Sequence, residues 1–421
     1  MKVWSWVASA AVLVAVGAVA GFGVAAHEQL GQLEHAPAFA LPTPTQEVEP
    51  ANGAPVDTAA LTAALSAKAD NPALAEFHAH VTNAQTGEVV FDRQADAPLR
   101  PASTTKLLTA AAAVLELGPD DVVTTEVVRG ANPGEVVVKA AGDVWMNRGA
   151  IDSLAAQLAG QGVTSVAIDA SAWQGMPELP DGWHPEDIDG GFVAPLQPAA
   201  LNGGRGLDDA TGDVPRSHTP ALDVAQALAD ALGAGKATAA QAPAGAEVVA
   251  QVASPSLQQR LELTMKDSDN VFAEAIGREV ALRRGLTDAP AATMAVLAEH
   301  GFDTAATEVH DNSGLSELNR ITPSLLDAIL YQAASADELR PLLAALPIAS
   351  ADGTLVDRYG DLPGRGWVRA KTGTLDDTSG LAGTVTSEQG NVYTFGFISN
   401  GSNVLDARQA LDELASVLRE Y

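Results

Sequence analysis

The stretch that constrains this chain most is RPASTTKLLTAAAAVLELG, Arg100 to Gly118. Pro101 suits the opening turn of a helix, the residues after it form a strongly apolar helical pattern, and Gly118 supplies a C-terminal stop. The pattern predicts a helix from Ser103 to about Gly118. Ser103 and Lys106 stand three residues apart within it, which makes them neighbours on one face. A serine hydroxyl needs an adjacent base to act as a nucleophile, and a lysine amine kept neutral within hydrogen-bond reach can be that base. Taken alone, the pair is more simply a capping serine followed by a surface lysine.

Two further motifs change that reading. Ser268-Asp269-Asn270 lies in TMKDSDNVFAEAI, and Lys371-Thr372-Gly373-Thr374 lies in VRAKTGTLDDTSGLAG, directly before a predicted strand. The three motifs follow in the order S-x-x-K, S-x-N, K-T-G, each in the kind of element that acyl-transfer chemistry on a serine requires.

At 421 residues the chain exceeds the usual single core, so a main domain with an additional lobe is expected. A net charge of -29, from 24 Lys+Arg against 53 Asp+Glu, excludes a phosphate-backbone footprint and nucleic acid as a partner. The absence of cysteine removes disulfides, thiolate metal sites and cysteine nucleophiles. At the N-terminus, no charge occurs from Val3 to Ala26. As a helix that run would span roughly 36 Å, enough to cross a bilayer. It reads as an uncleaved anchor, with a signal segment cleaved after Val24-Ala25-Ala26 as the alternative. Either way, residues 27–421 are expected outside the cytoplasm.

The remaining organisation follows from turn signals and periodicity. Residues 1–35 form the anchor or signal segment and 36–56 a Pro/Ala-rich tether. The first part of the main domain, 57–140, carries one hairpin around Gly87 and a second around Asn132-Pro133-Gly134. An inserted lobe is expected over 141–245, irregular and turn-rich up to about residue 210. The main domain returns over 246–421 with the strand AEVVAQVAS, a helix capped by Ser254 with Pro255 in its first turn, two strands (LAGTVT and VYTFGFIS), and a C-terminal helix from about Val404 to Tyr421. His78 and His80 stand i, i+2 on a strand with no matching acids, so no metal or organic cofactor is expected. No G-x-S-x-G elbow is present.

The three motifs together resemble those of the penicillin-recognising serine acyltransferases. TGEVVFDRQADAPLRPASTTKLLTAAA, ASPSLQQRLELTMKDSDNVFAEAIG, DNSGLSELNRITP and DGTLVDRY narrow the likeness to the class C low-molecular-mass penicillin-binding proteins, D-Ala-D-Ala carboxypeptidase/endopeptidases. The resemblance implies an α/β, serine β-lactamase/transpeptidase-like domain: an antiparallel sheet covered by helices, with the S-x-x-K helix at its centre. It further implies a Ser103 nucleophile, Lys106 as its proton acceptor and Ser268 as a proton relay to the leaving D-alanine. Asn270 would hold the substrate amide, and the Lys371, Thr372, Gly373 and Thr374 segment would meet the terminal carboxylate. Backbone N–H groups of Ser103 and Thr374 would form the oxyanion hole. Asp187, in GWHPEDIDGGF, matches the acid that meets the free amino end of a peptidoglycan stem, or is a solvated loop acid. Asp143 matches a family Gly-Asp and reads as a turn residue. Peptidoglycan stem peptides and β-lactams are the implied partners. Only about 160 residues separate Lys106 from Ser268, which implies a reduced second insertion. Two alternatives remain. A β-lactamase-like hydrolase would need a deacylating carboxylate, and no E-x-x-L-N stretch is present. A non-catalytic peptidoglycan-binding scaffold would not need the full set of catalytic side chains.

Overall fold

Alternating apolar strands flanked by amphipathic helices bury themselves by layering, and a computed structural model of the chain shows how. It describes residues 53–207 and 211–421 and, before them, Ala18, Gly21, Phe22 and His27. The chain divides into residues 1–50 and residues 51–421, and every element named here belongs to the second unit. The expected membrane segment and most of the tether lie outside the described residues. Among the described residues, no helix is long and apolar enough to cross a membrane.

The second unit opens with helix α1 (Thr58–Ala69) and the hairpin β1 (Glu76–Asn83) and β2 (Val89–Arg93). A 3-10 turn over Ala102–Thr105 leads into α2 (Lys106–Leu117). Then come β3 (Thr124–Arg129), β4 (Glu135–Lys139), β5 (Asp143–Met146), α3 (Arg148–Leu158), β6 (Ser165–Asp169), the short α4 (Glu186–Asp189), β7 (Ala199–Leu201), α5 (Pro220–Leu232), β8 (Thr238–Ala239) and β9 (Val248–Ala253). The chain returns through α6 (Leu257–Asp267), α7 (Asn270–Arg283), α8 (Ala289–Glu299), α9 (Pro323–Ser335) and α10 (Arg340–Ala345). It closes with β10 (Val368–Leu375), β11 (Thr378–Thr386), β12 (Val392–Asn400) and α11 (Val404–Glu420).

The main sheet is antiparallel throughout, in the order β10-β11-β12-β1-β2. Because side chains alternate across a strand, β12 sends Tyr393, Phe395 and Phe397 to a core shared with α1 and α11, and Ile398 to the opposite core around α2 and α9. Gly396 also faces α9, where a Cβ would stand 2.5 Å from the Pro323 carbonyl oxygen. Lys106 through Val114 of α2 are all buried, the condition of a helix that is apolar all round and packed on every side.

The second sheet, in the order β8-β6-β4-β3-β9, is mixed, with β4, β6 and β8 parallel. It packs against α3 and α5. Two of its strands precede residue 141 and one follows residue 245, so it draws on chain from both sides of the expected insertion.

Three local expectations are corrected. Regular structure appears within 141–210: α3 is capped by Asn147, and β6 alternates into the core between the second sheet and helices α3 and α5. Helix α6 is capped by Ser256, not Ser254, through a capping box with Gln259. The Ser254 hydroxyl instead accepts from Val123 N and donates to Pro255 O. Asp143 is buried at the head of β5, where its carboxylate accepts the Trp145 N–H at 3.0 Å.

Candidate active site

Ser103 lies in the 3-10 turn ahead of α2, and that turn is pressed between β10 and a loop at Asp311–Ser316. Ala102 holds a positive φ of 49° there. A Cβ on Gly373 would stand 2.6 Å from the Pro101 carbonyl oxygen, and one on Gly314 1.9 Å from that of Ala102. Both glycines are required by backbone approach.

Lys106 is 1% exposed. Its Nζ lies 2.9 Å from Ser103 Oγ, 2.8 Å from Asn270 Oδ1 and 2.7 Å from the Ser313 carbonyl oxygen. Asn270 donates its own Nδ2–H to Phe192 O at 3.1 Å, which fixes Oδ1 towards the lysine. A neutral amine has two N–H donors and one lone pair. The Asn270 and Ser313 oxygens can only accept, so they take both donors and leave the lone pair facing the Ser103 hydroxyl. Burial lowers the Lys106 pKa to about 8, against the opposing carboxylates of Asp311, Asp269 and Glu274.

Ser268 ends α6 in the left-handed conformation, φ 57°, and Asp269 caps α7 by accepting from Phe272 N. This break between two helices sets Ser268 Oγ 2.8 Å from Lys371 Nζ, which also donates to Thr372 O at 2.8 Å. Lys371 is fully buried, and burial together with the nearby Lys106 charge holds its pKa well below the ordinary lysine range.

Two supports escaped the sequence reading. Asp311 is a buried hub: it accepts from the N–H groups of Gly314, Leu315 and Ser316, from Ser313 Oγ, from Asn319 Nδ2 and from Trp183 Nε1. This shapes the loop that delivers the Ser313 carbonyl to Lys106. Its local signals were the Asp-Asn-Ser-Gly run, rich in turn formers, and the place of that run in the DNSGLSELNRITP stretch that carries the resemblance. Asp269 is fully buried and is gripped by Arg205 at 2.7 Å and Arg216 at 2.9 Å, both reaching in from the segment between β7 and α5. No local pattern marks that contact.

Ser103, Ser268, Asn270, Thr372 and Thr374 line one cleft of about 830 Å³. Thr372 Oγ1 donates to Thr354 Oγ1 at 2.8 Å, and Thr374 Oγ1 accepts from Arg408 Nη2 at 2.7 Å. Asp187, on α4, lies on the wall of the same cleft, as does Asp213. Asp143 lies elsewhere, in a separate pocket beside α3 and α6. Among the described residues, no group of three or more His, Asp or Glu side chains is arranged to hold a metal ion. His80 bonds Asp327 at 2.7 Å between β1 and α9, and His78 bonds Ala97 O.

A serine facing a buried lysine, a second serine facing a second buried lysine, and an antiparallel sheet backing both define the penicillin-recognising class of serine enzymes. A family profile, D-Ala-D-Ala carboxypeptidase 3 (S13), matches residues 61–215 and 208–421, and the chain belongs to that family. It is 43% identical over 388 residues to a carboxypeptidase of Mycobacterium tuberculosis, covering 86% of this chain and 84% of that one. It is 40% identical over 448 residues to carboxypeptidase DacB of Mycolicibacterium smegmatis, covering 98% and 95%. Among solved structures it resembles penicillin binding protein 4 of Haemophilus influenzae, with a TM-score of 0.72 at 22% identity over 87% of this chain and all of that one. The protein is thus a serine-type D-Ala-D-Ala carboxypeptidase, a hydrolase.

Proposed function

We propose that this carboxypeptidase works through an acyl-enzyme on Ser103, trimming peptidoglycan stem peptides at the extracytoplasmic face of the membrane. The single observation that carries the reading is the hydrogen-bond accounting at Lys106: once the amine is neutral, its lone pair has the Ser103 hydroxyl as partner.

In the acylation step the Ser103 proton passes to Lys106 Nζ while Oγ bonds the carbonyl carbon of the penultimate D-alanine. The C–N bond then breaks, and the departing amine takes its proton through Ser268, which Lys371 holds in place. Water hydrolyses the ester and regenerates the serine. Asn270 has the reach to orient the substrate amide, and Thr372 and Thr374 offer hydroxyls on the edge strand. The N–H of Ser103, early in its 3-10 turn, has no intrahelical acceptor and suits one arm of an oxyanion hole, Thr374 N–H the other. Asp187 would meet an ammonium on the stem peptide, a reading supported by its position on the cleft wall. The same cleft would admit a cross-linked stem, giving endopeptidase activity, and a β-lactam would acylate Ser103. The uncharged run from Val3 to Ala26 supports anchoring.

Labelling with fluorescent penicillin, followed by intact mass and peptide mapping, tests the assignment. The adduct should map to the Ser103 peptide, and Ser103→Ala should abolish it. A variant that labels as well as the wild type would overturn the nucleophile. Rapid multiple turnover of penicillin would favour a β-lactamase-like hydrolase instead.

A further inference from the structure

The cleft holds a cation that the chemistry above does not use. Arg358 and Arg408 both line it, but their circumstances differ. Arg358 is committed: its Nε and Nη2 grip the two oxygens of Asp412 at 3.1 and 2.7 Å, and Nη2 also reaches Arg408 O. Arg408, on α11, gives Nη2 to the Thr374 hydroxyl. Among the described residues, it forms no ion pair with a carboxylate. Asp412, one helical turn further on, is already held by Arg358, and Asp376, also on the cleft wall, is exposed and makes no bond to it.

We infer that Arg408 is a specificity-determining residue, whose guanidinium recognises the carboxylate on the D-residue that leaves. The inference rests on the acyl-enzyme reading of Ser103 and deepens it. Arginine presents five donors in a planar fork, and one bond to Thr374 leaves donors for a carboxylate in the bidentate manner. Thr374 follows directly on the Lys371-Thr372-Gly373 segment, so a substrate laid along β10 from Ser103 brings its terminal carboxylate to this end of the cleft. Partial burial and the neighbouring Arg358 lower the Arg408 pKa. An incoming carboxylate supplies a charge that offsets both effects. In a chain with 53 acids against 24 Lys+Arg, an arginine held in the cleft without an acid is suited to an anion from outside.

The test compares two peptides ending in D-Ala-D-Ala, one with a free carboxylate and one with a C-terminal amide, on the wild type, Arg408→Ala and Arg408→Lys. The wild type should prefer the acid. Arg408→Ala should lose about 10- to 100-fold in kcat/KM on the acid, the range of a charge-assisted hydrogen bond, and change by about twofold or less on the amide. Arg408→Lys keeps the charge without the fork and should fall between them on the acid. Equal losses on acid and amide would reduce Arg408 to a structural support for Thr374 and overturn the inference, as would an undiminished preference for the acid in Arg408→Ala. A wild type that cleaves neither peptide would sink the acyl-enzyme reading itself and this inference with it.

Discussion

Two buried lysines within one site pose an electrostatic problem that sets the pH dependence of the enzyme. Charging both would place like charges in a water-poor interior, and the Lys106 charge adds to burial in holding the Lys371 pKa down. Lys371 is displaced further, by burial and by Lys106. Lys106 stays near 8 because Asp311, Asp269 and Glu274 oppose its desolvation. Glu274, fully buried and donated to by Asn312 N, is itself pushed up to about 8 by burial and by Asp311. On the proposed role of Lys106 as base, which requires the neutral amine, the active fraction grows as pH rises. The rate of Ser103 acylation should climb through neutrality and level off above about 8. A rate profile with a β-lactam between about pH 6 and about pH 9 checks this, and a flat or falling profile would contradict a lysine base. The motif residues were legible because each carries its chemistry in a short spacing. Arg216 and Arg408 were not, because their partners lie far along the chain and no periodicity points to them; Asp311 bonds mostly within residues 313–319, but a buried carboxylate hub has no spacing that marks it.

At the scale of elements, the site depends on how closely the Ser103 turn approaches its neighbours, and glycine controls that distance on two sides. Gly314 combines φ 84° with the 1.9 Å clash against Ala102 O, so Gly314→Ala should destabilise the fold by about 3 kcal/mol or more. Gly373 has no positive φ to forfeit, but a Cβ there would stand 2.6 Å from the Pro101 carbonyl oxygen, so Gly373→Ala should cost less stability than Gly314→Ala while displacing Ser103 from β10 and slowing acylation. Thermal melts paired with acylation rates separate the two outcomes, and rapid acylation by Gly373→Ala would show that the turn tolerates the shift. The hairpins, α2 and the closing strands were readable from alternation and turn residues. Helix α3 and strand β6 were harder, because the Pro- and Gly-rich run that follows dominates the composition of that segment. The Ser254 misassignment has a similar root: Ser254 and Ser256 both flank Pro255, and only the reciprocal bonds with Gln259 select the second. The pairing of β1 with β12, which closes the main sheet, joins the two ends of the folded unit and leaves no local trace.

At the scale of the whole molecule, the segment between β7 and α5 is fastened to the catalytic centre through the middle residue of Ser268-Asp269-Asn270. Asp269 caps α7, and its carboxylate also receives Arg205 and Arg216. Burial works against its ionisation, but the two guanidiniums outweigh that and hold its pKa below the usual value. A carboxylate depressed in the folded state contributes stability above its unfolded pKa of about 3.8 and loses it as pH falls through the folded value. Asp269→Asn retains the cap, since asparagine serves there as well as aspartate, and removes only the charge. It leaves two buried arginines without their acid, at a cost of about 3–5 kcal/mol, and it loosens the joint that presents Ser268 and Asn270 on either side. The expected result is a large drop in melting temperature near neutral pH, a smaller difference from the wild type in strong acid, and a loss of penicillin acylation in the fraction that remains folded. Melts as a function of pH, read beside labelling of Ser103, give all three quantities. An Asp269→Asn protein with wild-type melting and labelling would mean that the segment between β7 and α5 is held by its other contacts alone, with Arg205 and Arg216 incidental to the site.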